Sequence, residues 1–124
     1  MALVSEFGQE WYGIRRYQQL AVTPWVAANV IPKLNGIGQP DELLRLSLRQ
    51  YLNHFQGVEI VADWPEDIAH FCDFLITGPG KRIGPEVMNF TVIGGVPGAE
   101  EISLMPHNAL EDARALKKFL ANYW

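Results

Sequence analysis

Cysteine is almost missing from this chain: Cys72 is the only one in 124 residues. That excludes a disulfide scaffold and any Cys-rich zinc site. A lone thiol fits a reducing compartment, so a cytoplasmic location is expected. Long apolar runs are missing as well. No stretch approaches the ~20 residues that span a bilayer, and no basic segment followed by an apolar one opens the chain, so no membrane partner is expected. Basic excess is also lacking, with Lys and Arg totalling 10 against 14 Asp and Glu, for a formal net charge of −4. A protein that coats nucleic acid by bulk electrostatics is thereby excluded. A phosphate-bearing substrate held through metal ions is compatible with that charge. What is present, 48% hydrophobic and 19% charged residues, is the composition of a folded domain. A chain of this length buries roughly two-thirds of its unfolded surface, enough for one core, and a single domain over residues 1–124 is expected.

The pattern of elements is α/β. Ala2-Leu3-Val4 and Trp11-Tyr12 are strand-type runs around Gly8, which predicts a hairpin over the first fourteen residues. Thr23-Pro24 is an N-cap followed by proline, predicting a short helix from Pro24 to Asn29. A second helix starts near Pro40-Asp41-Glu42 and carries Leu44, Leu48, Tyr51, Leu52 and Phe55 at helical spacing, with Gly57 as its expected C-cap. Val58–Ala62 reads as a buried strand, and Pro65 opens a helix with Ile68, Phe71, Cys72 and Leu75 that runs to near Gly78. A Gly/Pro-rich connection over Thr77–Pro85 follows, then a strand from Val87 to Ile93 and a loop from Gly94 to Pro106. The last helix begins around Asn108 with Leu110, Ala113, Leu116, Phe119, Leu120 and Tyr123 on its apolar face. Strands alternating with helices predict a mixed sheet flanked by helices.

Two segments carry residues suited to chemistry. In Asp63-Trp64-Pro65-Glu66-Asp67 a strand hands over to a helix, which is where open α/β sheets build their sites. Acids there can hold Mg²⁺ or Mn²⁺ through oxygen. They equally suit a first helical turn, where they favour the dipole and cap free N–H groups. The second segment is Pro106-His107-Asn108-Ala109-Leu110-Glu111-Asp112-Ala113. Asn108 and Glu111 have capping-box spacing, which leaves His107 just outside the helix and Asp112 within it. Regular helix would turn five residues through ~140° and part those side chains, whereas a His on a loop before the helix can swing back. Such a pair offers a metal carboxylate and a group able to accept a proton near neutral pH. Trp64 can stack on a base or serve as a rim tryptophan; Trp11, Trp25 and Trp124 are read as packing residues. His54, near a helix C-terminus, and His70, one turn after Asp67, are read as structural. Lys81-Arg82 is read as solvated and Cys72 as a core residue.

His107-Asn108-Ala109-Leu110-Glu111-Asp112-Ala113-Arg114 resembles the third motif of the DEDDh 3′–5′ exonucleases, a His-x4-Asp followed by a small residue. The resemblance extends to the Ala2–Ile14 hairpin, to Trp25-Val26-x3-Val30-Ile31-Pro32-x-Leu34 and to the segment around Asp63 and Asp67, and is strongest to small bacterial single-domain exoribonucleases. It implies a ribonuclease H-like fold and metal-dependent removal of nucleotides from a 3′ end of single-stranded nucleic acid, RNA more than DNA. By the same resemblance Asp112 is a metal ligand and His107 the general base. Asp67 is the second-motif aspartate, with Asp63 the competing assignment, around two Mg²⁺ or Mn²⁺ ions. One part is missing. None of the five aspartates (41, 63, 67, 73 and 112) has Glu two positions later, so the family's first motif, Asp-x-Glu on a central opening strand, is absent. A non-catalytic descendant that binds nucleic acid or protein is the alternative. The lost strand also implies either direct pairing of the hairpin with Val58–Ala62 or unpaired edges that a second copy of the chain can cover.

Overall fold

The computed structural model describes residues 1–16, 22–34, 36–94, 105 and 107–122. Their order is β1 (Ala2–Val4), β2 (Glu10–Tyr12), α1 (Pro24–Asn29), a 3₁₀ turn (Ile31–Lys33), α2 (Asp41–Leu52), β3 (Gly57–Ala62), α3 (Pro65–Leu75), β4 (Ile76–Gly78), β5 (Lys81–Arg82), β6 (Val87–Val92) and α4 (Ala109–Leu120). The chain is thus mixed α/β, and it packs as two compact units, Met1–Leu44 with Pro97–Trp124, and Arg45–Val96.

In the first unit β1 and β2 pair antiparallel with Leu3 opposite Trp11. Gly8 supplies the positive φ of the turn, where an L side chain would be strained. The α-ammonium of Met1 donates to the Gly13 carbonyl at 2.8 Å and extends the pairing by one step. Helix α4 packs across this hairpin. Trp11, Ile14, Leu44 and Ala115 are its buried apolar residues. Gly13 is required by that packing, since a Cβ there would stand 2.7 Å from the Trp11 ring and 3.0 Å from Leu44. Helix α1 begins as its sequence predicts, with the Thr23 hydroxyl accepting from Val26 N–H at 3.3 Å.

In the second unit β3 and β6 pair in parallel, Gly57 opposite Val87 through Ala62 opposite Val92, joined by the crossover that a parallel pair needs. Phe71 of α3 meets Phe90 of β6 with ring centroids 6.4 Å apart. That contact places α3 on the face carrying Val58, Ile60, Ala62, Met88, Phe90 and Val92. Leu48, Leu52, Phe71, Phe74 and Leu75 form the core of the unit. Arg45 lies over the Phe74 ring at 4.7 Å and donates to the Phe74 carbonyl at 3.0 Å.

Four expectations need correction. The described strands form three two-stranded sheets, β1–β2, β3–β6 and β4–β5, so no single mixed sheet joins them. Gly57 is not a C-cap. Helix α2 stops at Leu52 and tightens through Phe55 N–H to Leu52 O at 3.1 Å, while Gly57 opens β3. Helix α3 ends at Leu75, and the connection after it holds an unforeseen hairpin, Ile76 opposite Arg82, turning through Gly80 at φ 68°. Lastly, β3 is not fully buried: among the described residues it pairs with β6 alone, only Ala62 is buried, and Glu59 is exposed. The Gly94–Pro106 loop and Tyr123 lie largely outside the described residues.

Candidate functional site

The His107 segment owes its geometry to the start of α4. Asn108 is the N-cap, extended at φ −91°, ψ 117°. Its Oδ1 accepts from the N–H groups of Leu110 and Glu111, each at 3.1 Å, two of the donors that a helix start leaves unbonded. Its Nδ2 donates to the Lys33 carbonyl at 2.8 Å and reaches the Tyr12 hydroxyl at 3.5 Å. Asn108 is 4% exposed, so a single buried amide fastens α4 to the 3₁₀ turn and to β2. The reciprocal half of the expected capping box is not formed. Glu111 instead pairs with Arg114, which also forks onto Glu10 at 2.7 Å.

With the cap in place, the residue before it must reverse direction. His107 does so at φ 70°, a left-handed conformation in which His is among the more tolerated residues. Its backbone and its ring both make contacts there. Its backbone N–H donates to Asp112 Oδ2 at 3.2 Å, and its ring stands edge-on to Trp25, with centroids 5.1 Å apart and planes at 83°. The other carboxylate oxygen, Asp112 Oδ1, is buried and has no hydrogen-bond partner among the described residues. A buried oxygen without a donor is costly and is the kind of group a cation satisfies. The His-x4-Asp spacing is therefore a physical unit: the aspartate holds the histidine's backbone and keeps one oxygen uncommitted.

The other sequence-chosen residues sit in the second unit, at the end of β3. Asp63 is exposed, and Trp64, the N-cap residue of α3, is 60% exposed and makes no side-chain cap. Asp67 is exposed in the first turn of α3, its N–H bonded to Trp64 O at 3.2 Å. The structure thus gathers His107 with Asp112 in one unit, and Asp63, Trp64 and Asp67 in the other. Among the described residues no three His, Cys, Asp or Glu side chains gather to hold a metal ion. On that donor set the described residues do not complete a site for Mg²⁺ or Mn²⁺, although Asp112 Oδ1 suits one such bond.

Trp25, read as a packing residue, packs edge-on against His107 while staying 56% exposed, a partner the sequence does not name. The signal for that exposure was its place in the first turn of a capped helix, where a large side chain has few neighbours to bury it. His54 Nδ1 lies 2.8 Å from Gln50 O at the end of α2, where a proton on the ring nitrogen serves a free carbonyl. Arg82 is spent on its own loop, donating to Pro85 O and Glu86 O at 2.9 Å each. Cys72 is half-buried. A cavity of about 380 Å³ opens beside Tyr12, Lys33, Leu34, Asn108, Glu111 and Arg114; Asp112 does not line it. No family model, characterised protein or solved structure matches the chain.

Proposed function

We propose that the chain is a DEDDh-type 3′–5′ exonuclease-like protein with a ribonuclease H-like ancestry. Its ancestral chemistry is metal-dependent phosphodiester hydrolysis at a 3′ end, on RNA more than DNA. The observation that carries this reading is the His107–Asp112 junction, in which the carboxylate that fixes His107 keeps a buried oxygen unpartnered. In this reading His107 takes the proton of the attacking water, the role for which imidazole is suited near neutral pH. Asp112 holds the histidine's backbone in place and would offer Oδ1 to a cation. By the motif resemblance alone, Asp67, in the first turn of α3, is the second acid, with Asp63 as its competitor. Exposed Trp64 offers a stacking face for a nucleobase. A bound Mg²⁺ or Mn²⁺ pair supplies water activation and stabilisation of the leaving oxygen in such enzymes.

The second reading is a non-catalytic descendant, a nucleic-acid or protein interaction module. The absence of Asp-x-Glu from the sequence and of a three-donor cluster among the described residues favours it. A second copy of the chain is the protein partner that two-stranded sheets invite.

Mn²⁺ titration followed by paramagnetic NMR broadening tests the leading reading. Broadening centred on Asp112 and His107 is expected at millimolar Mn²⁺, and Asp112→Asn should remove it. Broadening that ignores both residues would sink the metal-site assignment.

A further inference from the structure

We infer that the cavity of about 380 Å³ at the start of α4 binds a small monocarboxylate through Lys33, with the apolar body of the ligand against Leu34 and Leu110. Its walls come from three segments of the first unit: Tyr12 at the end of β2, Lys33 and Leu34 at the end of the 3₁₀ turn, and Asn108 with Leu110 at the start of α4. The three are fastened to one another at one point. Asn108, itself buried, caps α4 with its Oδ1, while its Nδ2 donates to the Lys33 carbonyl at 2.8 Å and reaches the Tyr12 hydroxyl at 3.5 Å. An amide committed at both ends keeps the walls in place, so the cavity is preformed and loses no affinity to ordering them. Its volume lies at the low end of the ~300–1,000 Å³ of small-molecule sites, which suits a small ligand.

Charge selects the class of ligand. Glu111 pairs with Arg114, which also forks onto Glu10, and the Glu10 carboxylate feels Lys117 as well. Arg114 and Lys117 thus answer the two carboxylates. Lys33 is left over. Its backbone is bonded to Val30 and Asn108, but its ammonium meets no carboxylate among the described residues. The residue is half-buried, and a cation held partly away from water gains from an anion. One unpaired ammonium suits one negative charge. A di- or triphosphate calls for several cations or an arginine fork, and the fork of Arg114 is already taken by Glu10. Pro32, Leu34 and Leu110 complete the lining with apolar surface, which favours a compact hydrocarbon body beside the carboxylate.

Benzoate, benzyl alcohol and benzylamine are probes of similar shape with a negative, a neutral and a positive head. Two-dimensional NMR titration of the full chain with each tests the site. Benzoate is expected to shift the amides of Lys33, Leu34 and Leu110 saturably, with a Kd of about 1 mM for so small a ligand. The alcohol, the amine and acetate, which lacks the ring, should each bind more weakly. Lys33→Met keeps the hydrocarbon stem and removes the charge; it should weaken benzoate about tenfold, and Lys33→Arg should restore binding. If Lys33→Met unfolds, the comparison of the four probes on the wild type carries the test alone. Shifts that do not saturate or that map away from Lys33, benzoate held no more tightly than benzyl alcohol or acetate, or benzoate binding unchanged by Lys33→Met would each overturn the assignment. None of these readouts depends on a metal or on nuclease activity.

Discussion

At the scale of single residues, Asn108 concentrates more structural work than any catalytic candidate. It caps α4 twice, meets Lys33 and Tyr12, and is buried while doing so. Removing an N-cap side chain costs about 1–2 kcal/mol, and here the Lys33 carbonyl also loses its amide donor. Asn108→Ala is therefore expected to destabilise the chain by about 2 kcal/mol in urea unfolding, while Asn108→Asp keeps the cap and costs less. The same residue decides where His107 goes. The sequence showed the spacing and the cap but not the left-handed φ, which arises because the loop must reverse before a helix whose first residue is already anchored. Nor did it show that Asp112 would bond to the backbone N–H of His107; spacing constrains which residues are near, and only the folded chain decides which atoms meet.

At the scale of elements, α4 is joined to the hairpin by a second device, the fork of Arg114 onto Glu10 of β2. The hydrogen bond from Arg114, aided by the charges of Arg114 and Lys117, holds the Glu10 carboxyl below its ordinary value of 4.5. Because the folded-state value is depressed, the contribution to stability is present above 4.5 and is lost as pH falls through the lowered value. The pair is exposed, so the effect is small and screened by salt. Urea midpoints measured from about pH 5 to about pH 3 should fall more in the wild type than in Glu10→Gln, and added salt should shrink the difference. Helix α4 was legible because its cap and acid-then-base charge pattern are local. Its apolar face is only partly covered: Ala115 is buried, and Leu110, Leu116, Phe119 and Leu120 are half-buried. Periodicity finds a face, but the partner's shape decides how far that face is covered.

At the scale of the whole molecule, the reading as a nuclease-like protein has a direct consequence. On that reading, without Asp-x-Glu the purified chain is expected to show little or no hydrolysis of single-stranded RNA with Mg²⁺ or Mn²⁺, because the carboxylates that would hold the water-activating metal are incomplete. Loss of a general base alone typically costs only ~10²–10⁴-fold. Robust turnover that vanishes with Asp112→Ala would overturn the expectation; a phosphodiester assay at several metal concentrations decides it. The sequence by itself determined the α/β alternation, the starts of α1, α2, α3 and α4, the hairpin, and the His107–Asp112 spacing. These depend on proline, caps and periodicity within a few residues of one another. Only the tertiary structure decided that the strands divide into three pairs, that Gly57 enters a strand instead of ending a helix, and that Asp112 keeps one oxygen buried without a donor. Those outcomes depend on which distant segments compete for the same backbone groups, and that competition has no local signature in the chain.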